Sequence, residues 1–399
     1  MARRCAVTRL LCGITLASAL VASGCERAPS TDVARRDVSS PTIARSDVPT
    51  GIRFLADDTG QVGDFARVSS PRPFRFPEDH ASHPEYRTEW WYFTGNLTNE
   101  SGDHFGFELT FFRFALTPTA PDADSGSAWS TNQVYMAHLA VTDTRRRQFV
   151  AEERLARAAL GLAGARSDPL AIWVESWRLE GDDDGAAKFS LDARGERIAV
   201  SLDVESLKPA VLHGDRGVDA KGPEPGNASY YYSLTRLAAR GSITVAGRTE
   251  AVEGLAWMDR EWSTSALSPD VEGWDWFAIQ LSDGRDLMLY RLRRHDGSTS
   301  PFSGGSLVEA DGTRRSIGPG DFALTPLEHW RSTRSGVRYP IAWRATLPRL
   351  GIELEMRPVL DEQELVLSVR YWEGAVRVSG RANGEPVTGH GYVELAGYR

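Results

Sequence analysis

Hairpin signals punctuate this chain. Asp184-Gly185, Asp283-Gly284, Asp296-Gly297, Asp311-Gly312 and Asn383-Gly384 are dipeptides suited to the positive φ values of a two-residue β-turn. Between the turns lie short runs that alternate or carry β-branched and aromatic residues, among them Phe105–Phe114, Ile198–Val204, Leu287–Leu292, Ile352–Arg357 and Leu365–Tyr371. Long helical periodicity is nearly absent, and Glu152–Leu162 is the best helix candidate. The expected fold class is therefore all-β and antiparallel, sandwich or barrel. The 12 Trp, 11 Tyr and 15 Phe agree, because aromatic side chains favour strands or a large apolar cavity over a helical bundle.

With 399 residues the chain has room for two domains or three. Its 41% hydrophobic and 25% charged residues are an ordinary globular mix, which argues against global disorder and against a polytopic membrane protein. A net charge of −8 argues against a nucleic-acid binder that depends on phosphate contacts.

The first residues read as an address. Arg3, Arg4 and Arg9 form a basic region, and Leu10–Ala22 is an apolar stretch too short to span a bilayer. Ala22-Ser23-Gly24-Cys25 resembles a bacterial lipobox, which implies a signal peptide over 1–24, acylation of Cys25 and a lipid anchor. An ordinary secretory signal is the alternative. Cleavage before Cys25 takes the net charge from −8 to −11 through loss of the three arginines, and leaves no thiol but the acylated one. Glu26 after the cysteine favours sorting to the periplasmic side of the outer membrane in a bacterial cell envelope. Residues 25–77 read as a flexible tether, with ordered sequence starting near Phe74 and His80.

One internal echo stands out. Trp90-Trp91-Tyr92-Phe93 followed by Leu97-Thr98, Gly102 and Phe105 is matched by Trp274-Asp275-Trp276-Phe277 followed by Leu281-Ser282, Gly284 and Leu287. Two similar barrels, each opening with an aromatic hairpin, would produce it. Domains over 78–264 and 265–399 follow, with a seam near Ser265–Glu272.

Common catalytic signatures are missing: there is no GxSxG, HExxH, Walker or dinucleotide fingerprint. The histidines lack metal-ligand spacing, so neither a metal nor a cofactor is expected, and the near pair His80 and His83 reads as hydrogen-bonded loop. What remains is acids set among aromatics. On a strand Trp257, Asp259 and Glu261 share one face, with the two carboxyls roughly 6–7 Å apart. Two like charges beside an apolar wall push one pKa upward, as a general acid requires. The other reading pairs them with Arg260 or another arginine. Glu89 and Asp275, each beside indoles, are either site residues or buried ion-pair partners. His138 sits in mid-strand, and Tyr230-Tyr231-Tyr232 divides its phenols between two faces, as core residues or as ligand contacts.

The segments His83–Tyr92, Gly214-Asp215-Arg216-Gly217 with Lys221-Gly222-Pro223, and Trp257-Met258-Asp259-Arg260-Glu261-Trp262 resemble the AttH-like, carotenoid 1,2-hydratase (hydroxyneurosporene synthase) family over roughly residues 78–399. The resemblance implies two packed lipocalin-like, calycin-type antiparallel β-barrels, a hydrophobic ligand cavity, and addition of water to an isoprenoid double bond. In those terms Asp259 is the proton donor and Glu261 or Glu89 the water-orienting base. Tyr92, Trp257, Trp262 and Trp274 would form the cavity wall, with Trp91, His138, Tyr232 and Asp275 as further ligand contacts. Carotenoid-acting members tend to carry His-Asn where this chain has Arg260-Glu261, so a lipid or terpenoid is the expected substrate class. Two alternatives stand beside an enzyme: a non-catalytic periplasmic carrier of hydrophobic molecules, and an accessory lipoprotein of an envelope transport complex.

Overall fold

The structure is a computed structural model, and it describes residues 64–120, 127–182, 187–264 and 267–399. The expected signal segment, Cys25 and most of the tether lie outside these residues, as do the hairpin tip Asp183-Asp184-Gly185 and the seam residue Ser265.

Two single-turn 3-10 helices, Glu78–His80 and Pro348–Leu350, are the only helical elements among the described residues. No helix there is long and apolar enough to cross a membrane. The first sheet holds β1 (Thr88–Thr98), β2 (His104–Ala115), β3 (Gln133–Asp143), β4 (Gln148–Arg157), β5 (Ala163–Ser167), β6 (Leu170–Val174) and β7 (Trp177–Gly181). It continues with β8 (Lys188–Arg194), β9 (Ile198–Ser206), β10 (Val211–Leu212), β11 (Val218–Ala220), β12 (Ala228–Val245) and β13 (Arg248–Ser263). The second sheet holds β14 (Val271–Leu281), β15 (Asp286–Arg294), β16 (Gly304–Val308), β17 (Arg314–Ile317) and β18 (Ala323–Arg331). Its remaining strands are β19 (Arg338–Leu347), β20 (Ile352–Pro358), β21 (Glu364–Val366), β22 (Arg370–Ala382) and β23 (Glu385–Ala396).

The first sheet runs β4-β3-β2-β1-β13-β12-β9-β8-β7-β6-β5, with β10 and β11 on the early part of β12. Its ends curl together until β4 meets β6 and β3 meets β5, giving a nearly closed barrel. The second runs β17-β16-β15-β14-β23-β22-β20-β19-β18 and forms a half-barrel. The architecture is all-β, two lipocalin-like barrels packed against each other.

Burial shows which strands meet the partner sheet. β8 and β9 alternate buried and exposed residues, as strands with one wet face do. β1 and β2 are buried almost throughout, because one face fills the first barrel and the other packs on the second sheet. Trp91, Phe93 and Leu97 point into the barrel, whose interior is filled by apolar side chains. Trp90 and Tyr92 point the other way. The internal echo follows the same division: Phe277 enters the core of the second sheet, while Trp274 and Trp276 face back toward Trp90 and Tyr92.

Two expectations change. Glu152–Arg157 of the helix candidate belongs to strand β4, which is paired with β3 along its whole length, and the rest of the candidate is turn. A helix there would leave the edge of β3 unpaired, so sheet pairing overrides local helix preference. Packing also begins inside the stretch read as tether: Phe65 and Val68 are buried, and the Ala66 N–H donates to the Glu85 carbonyl at 3.0 Å.

Candidate active site

A cavity of about 150 Å³ lies between the two sheets, outside both barrel interiors. One wall is built on a single row of cross-strand neighbours, Glu153–His138–Thr110–Tyr92–Asp259–Ser233, crossing β4, β3, β2, β1, β13 and β12. Residues directly opposite on paired strands share a face, so this register carries all six to the same side. The facing row is Glu373–Glu394–Trp276–Tyr290, across β22, β23, β14 and β15. Hydrogen bonds join the two sheets: Tyr92 OH donates to Glu373, Trp276 Nε1 to Tyr231 OH at 3.1 Å, and Tyr290 OH to Asp219 at 2.9 Å. His138 Nδ1 and Tyr371 OH are 2.5 Å apart.

Asp259 is buried and has no basic partner among the described residues. Its Oδ1 meets Ser233 Oγ and, at 2.6 Å, Trp257 Nε1; its Oδ2 meets Tyr231 OH. Burial pushes this carboxyl up to about 7, against the pull of those three hydrogen bonds and with a further push from the Glu261 charge. Glu261 is also raised by burial, but Lys221 Nζ sits 3.1 Å from its Oε1 and opposes the shift. Lys221 keeps its charge despite burial, because Asp219 at 2.6 Å and Glu261 hold it. On the facing wall burial pushes Glu394 up to about 7, and Glu373 well above the carboxylate range with help from Glu108 and Glu394. The site therefore holds one lysine and several buried carboxyls, of which Asp259, Glu373 and Glu394 are raised and Asp259 stands on the wall of the first sheet.

A tight turn places Lys221 and a buried histidine, His213. Gly214, Arg216 and Gly217 all have positive φ (58°, 50° and 95°), and a Cβ on Gly214 would sit 2.0 Å from the Val218 carbonyl oxygen. The turn sets His213 on one side and leads through β11 to Lys221 on the other. Gly214→Ala is expected to lower stability by more than about 1 kcal/mol, since alanine fits neither the φ nor the space. Urea denaturation of the purified variant measures it, and an unchanged midpoint would contradict the turn geometry.

Six of the residues singled out from sequence line the cavity: Tyr92, His138, Tyr231, Asp259, Glu261 and Trp274. Trp257 stands behind Asp259 as its hydrogen-bond donor. The others are elsewhere. Trp91, Tyr232 and Trp262 belong to the first barrel's interior, where Tyr232 OH meets His80 Nδ1 at 2.6 Å. Glu89 faces that interior too, bound by Arg113 and Arg260 and by the His83 backbone N–H. Arg260 thus turns away from Asp259 and Glu261, toward Glu89, and does not neutralise the acids beside it. Asp275 lies on the far face of the second sheet, held by Arg291 at 2.6 Å, Arg293 at 3.2 Å and Tyr398 OH at 2.7 Å.

The structure adds Glu373, Glu394, Trp276 and Tyr371 to the cavity, with Lys221. A sequence signal existed for the two acids. Tyr371-x-Glu373 and Tyr392-x-Glu394 repeat the aromatic-x-acid spacing of Trp257-x-Asp259, which puts an acid and a ring on one strand face.

The AttH-like family matches residues 67–398. A Nitrosomonas europaea protein assigned as AttH is similar at 33% identity and a TM-score of 0.73, over 84% of this chain and 100% of that one. Kievitone hydratase from Nectria haematococca shares the fold at 15% identity and a TM-score of 0.63, over 84% of this chain and 96% of that one. No curated protein sequence matches the chain. With the family match spanning nearly all of the described body, this chain belongs to the AttH-like family.

Proposed function

We propose that this protein adds water across an electron-rich carbon–carbon double bond of an apolar, terpenoid- or lipid-type molecule. The carrying observation is Asp259, a buried carboxyl with no cation beside it, raised to about 7 at the wall of an aromatic cavity. Protonating an alkene needs such an acid. As the Asp259 O–H bond breaks, a C–H bond forms and the neighbouring carbon becomes cationic. The faces of Trp276, Tyr92 and Tyr231 stabilise that cation. A water oxygen then bonds to it and passes a proton to Glu261, whose charge Lys221 supports. That a protein of the same fold is a hydratase supports the reaction class. A carrier would tie its acids into ion pairs; Glu261 is so tied, to Lys221, but Asp259 has only neutral hydrogen-bond partners, which favours the enzyme.

Prenol, geraniol and farnesol incubated in heavy-oxygen water are the test. At least one is expected to gain a single labelled hydroxyl at its more substituted alkene carbon, seen by mass spectrometry. Binding of all three without water gain would overturn the hydratase in favour of the carrier.

We also propose that the mature chain starts at an acylated Cys25 and works at the periplasmic face of the outer membrane, where an apolar substrate is at hand. A diacylated N-terminal peptide in membrane extracts supports this, and an unmodified one refutes it.

A further inference from the structure

Each turnover takes the proton of Asp259, and an apolar substrate in the cavity then shields that carboxylate from water. A second way to Asp259 runs between the sheets, past the edge of the cavity. Ser233 Oγ touches Asp259 Oδ1, His213 Nε2 lies 2.6 Å from Ser233 Oγ, and His213 Nδ1 lies 3.0 Å from Ser306 Oγ. The chain of contacts crosses from β13 and β12 of the first sheet to β16 of the second. It ends where Arg314 Nε donates to Ser306 Oγ at 3.0 Å, under a half-exposed guanidinium that also reaches the exposed Ser316.

We propose that Ser233, His213 and Ser306, none of which lines the cavity, form a proton relay that recharges Asp259 from beyond the cavity's edge. The relay rests on the hydratase reading for its purpose, and on the hydrogen-bond chain for its existence. His213 is fully buried, with the Tyr231 ring 4.3 Å away on β12, Lys221 beyond β11 and Arg314 on β17. Burial, then Arg314 and Lys221, hold it well below the usual histidine range, so it is neutral and carries one ring proton. The contacts then admit two complete patterns. With Asp259 ionised, Ser306 O–H donates to Nδ1, Nε2–H to Ser233, and Ser233 O–H to Asp259. With Asp259 protonated, all three bonds reverse: Asp259 O–H donates to Ser233, Ser233 O–H to Nε2, and Nδ1–H to Ser306.

Passing from the first pattern to the second moves one proton along each bond. Ser233 gives its proton to Asp259 and takes the one on Nε2, while Nδ1 takes that of Ser306. Ser306 takes a replacement from solvent near Arg314, so exactly one proton enters and the imidazole ends neutral, with its tautomer switched. Ser233, His213 and Ser306 act through Asp259 and are positioning residues.

The test follows the protonated-carboxyl infrared band that disappears in Asp259→Asn, timed as it shifts after transfer to heavy water. The cavity is filled with tetrahydrogeraniol, a saturated probe that cannot react. Two variants break the relay at different points: His213→Gln keeps polar contacts to both serines but has no second tautomer, and Ser306→Ala removes one hydroxyl. Both are expected to slow exchange by about 100-fold, the lower end of what a positioned proton-transfer group supplies, with thermal melts matching wild type. Wild-type exchange rates in both variants would overturn the relay and leave the hydratase standing. Slowed exchange with no hydration of any alkene probe by wild type would leave the relay standing and overturn the hydratase. An Asp259-dependent band that is absent altogether would overturn both.

Discussion

Asp259→Asn is expected to lower alkene hydration by roughly 10²–10⁴-fold, the range a general acid supplies, while geraniol still binds. Asparagine is nearly isosteric, its carbonyl can accept from Trp257 and Ser233, and its amide can donate to Tyr231. What it lacks is the transferable proton, so the loss falls on kcat and leaves KM nearly unchanged. Wild-type turnover is expected to fall as pH rises through about 7, where Asp259 loses its proton. Full activity in Asp259→Asn would remove this residue from the mechanism.

The same substitution has a signed effect on stability. The folded-state pKa of Asp259 lies above its unfolded value of 3.8. Between those two values the folded chain holds a proton that the unfolded chain releases, so wild-type stability declines as pH rises from about 4 to 7. Glu394, also pushed up to about 7, adds to the same slope. Asparagine has no proton to hold. The stability difference in favour of Asp259→Asn is expected to grow across that window at about 1.4 kcal/mol per pKa unit, to a few kcal/mol by pH 8. Urea midpoints for both proteins at pH 5 and pH 8 measure it. A constant difference at both pH values would mean that Asp259 is ionised in the folded protein throughout.

Strand parity made much of this site legible. Alternation alone puts Asp259 and Glu261 on one face of β13 and separates Glu89, Trp91 and Phe93 from Trp90 and Tyr92 on β1. Parity on one strand does not say which face of that strand meets which face of its neighbour. That needs the register, and the register pairs Glu89 with Trp262 and Tyr92 with Asp259. Glu89 therefore shares a face with Trp262 and Arg260, and its place among the candidate bases is the error that one missing register produces. The same gap hid the cavity's position: dense aromatic runs indicated buried strands, but not that β1 and β2 are covered on both sides. The partners across the cavity were harder still. His138 and Tyr371 are 233 residues apart, Tyr92 and Glu373 are 281 apart, and no local pattern ties them. The false helix at Glu152–Leu162 has a related cause. Glu152 is an edge-strand acid whose carboxylate accepts the backbone N–H groups of Glu196 and Arg197, each at 2.8 Å, a purely tertiary use.

Glu89→Ala is expected to be the most damaging of these substitutions to stability, at about 3–5 kcal/mol, because it strips the counter-charge from a buried pair. Glu89 is fully buried, and so are both guanidiniums that hold it, Arg260 fully and Arg113 at 1% exposure. Without the carboxylate the two cations face each other in the barrel end. Arg260 would keep the Ala81 carbonyl at 2.5 Å and its stacking over Trp91 at 4.0 Å, neither of which carries a negative charge. Burial works against the Glu89 charge, but Arg113 and Arg260 hold its carboxyl well below the usual range. A depressed folded-state pKa contributes stability above the unfolded value and loses it as pH falls toward the folded one. The gap between wild type and Glu89→Ala is therefore expected to be widest near neutrality and to narrow in acid. Since Glu89 faces away from the cavity, folded Glu89→Ala should bind geraniol and hydrate it as wild type does. A variant that keeps its urea midpoint but loses turnover would reverse the assignment, moving Glu89 from the frame of the barrel to the chemistry of the site.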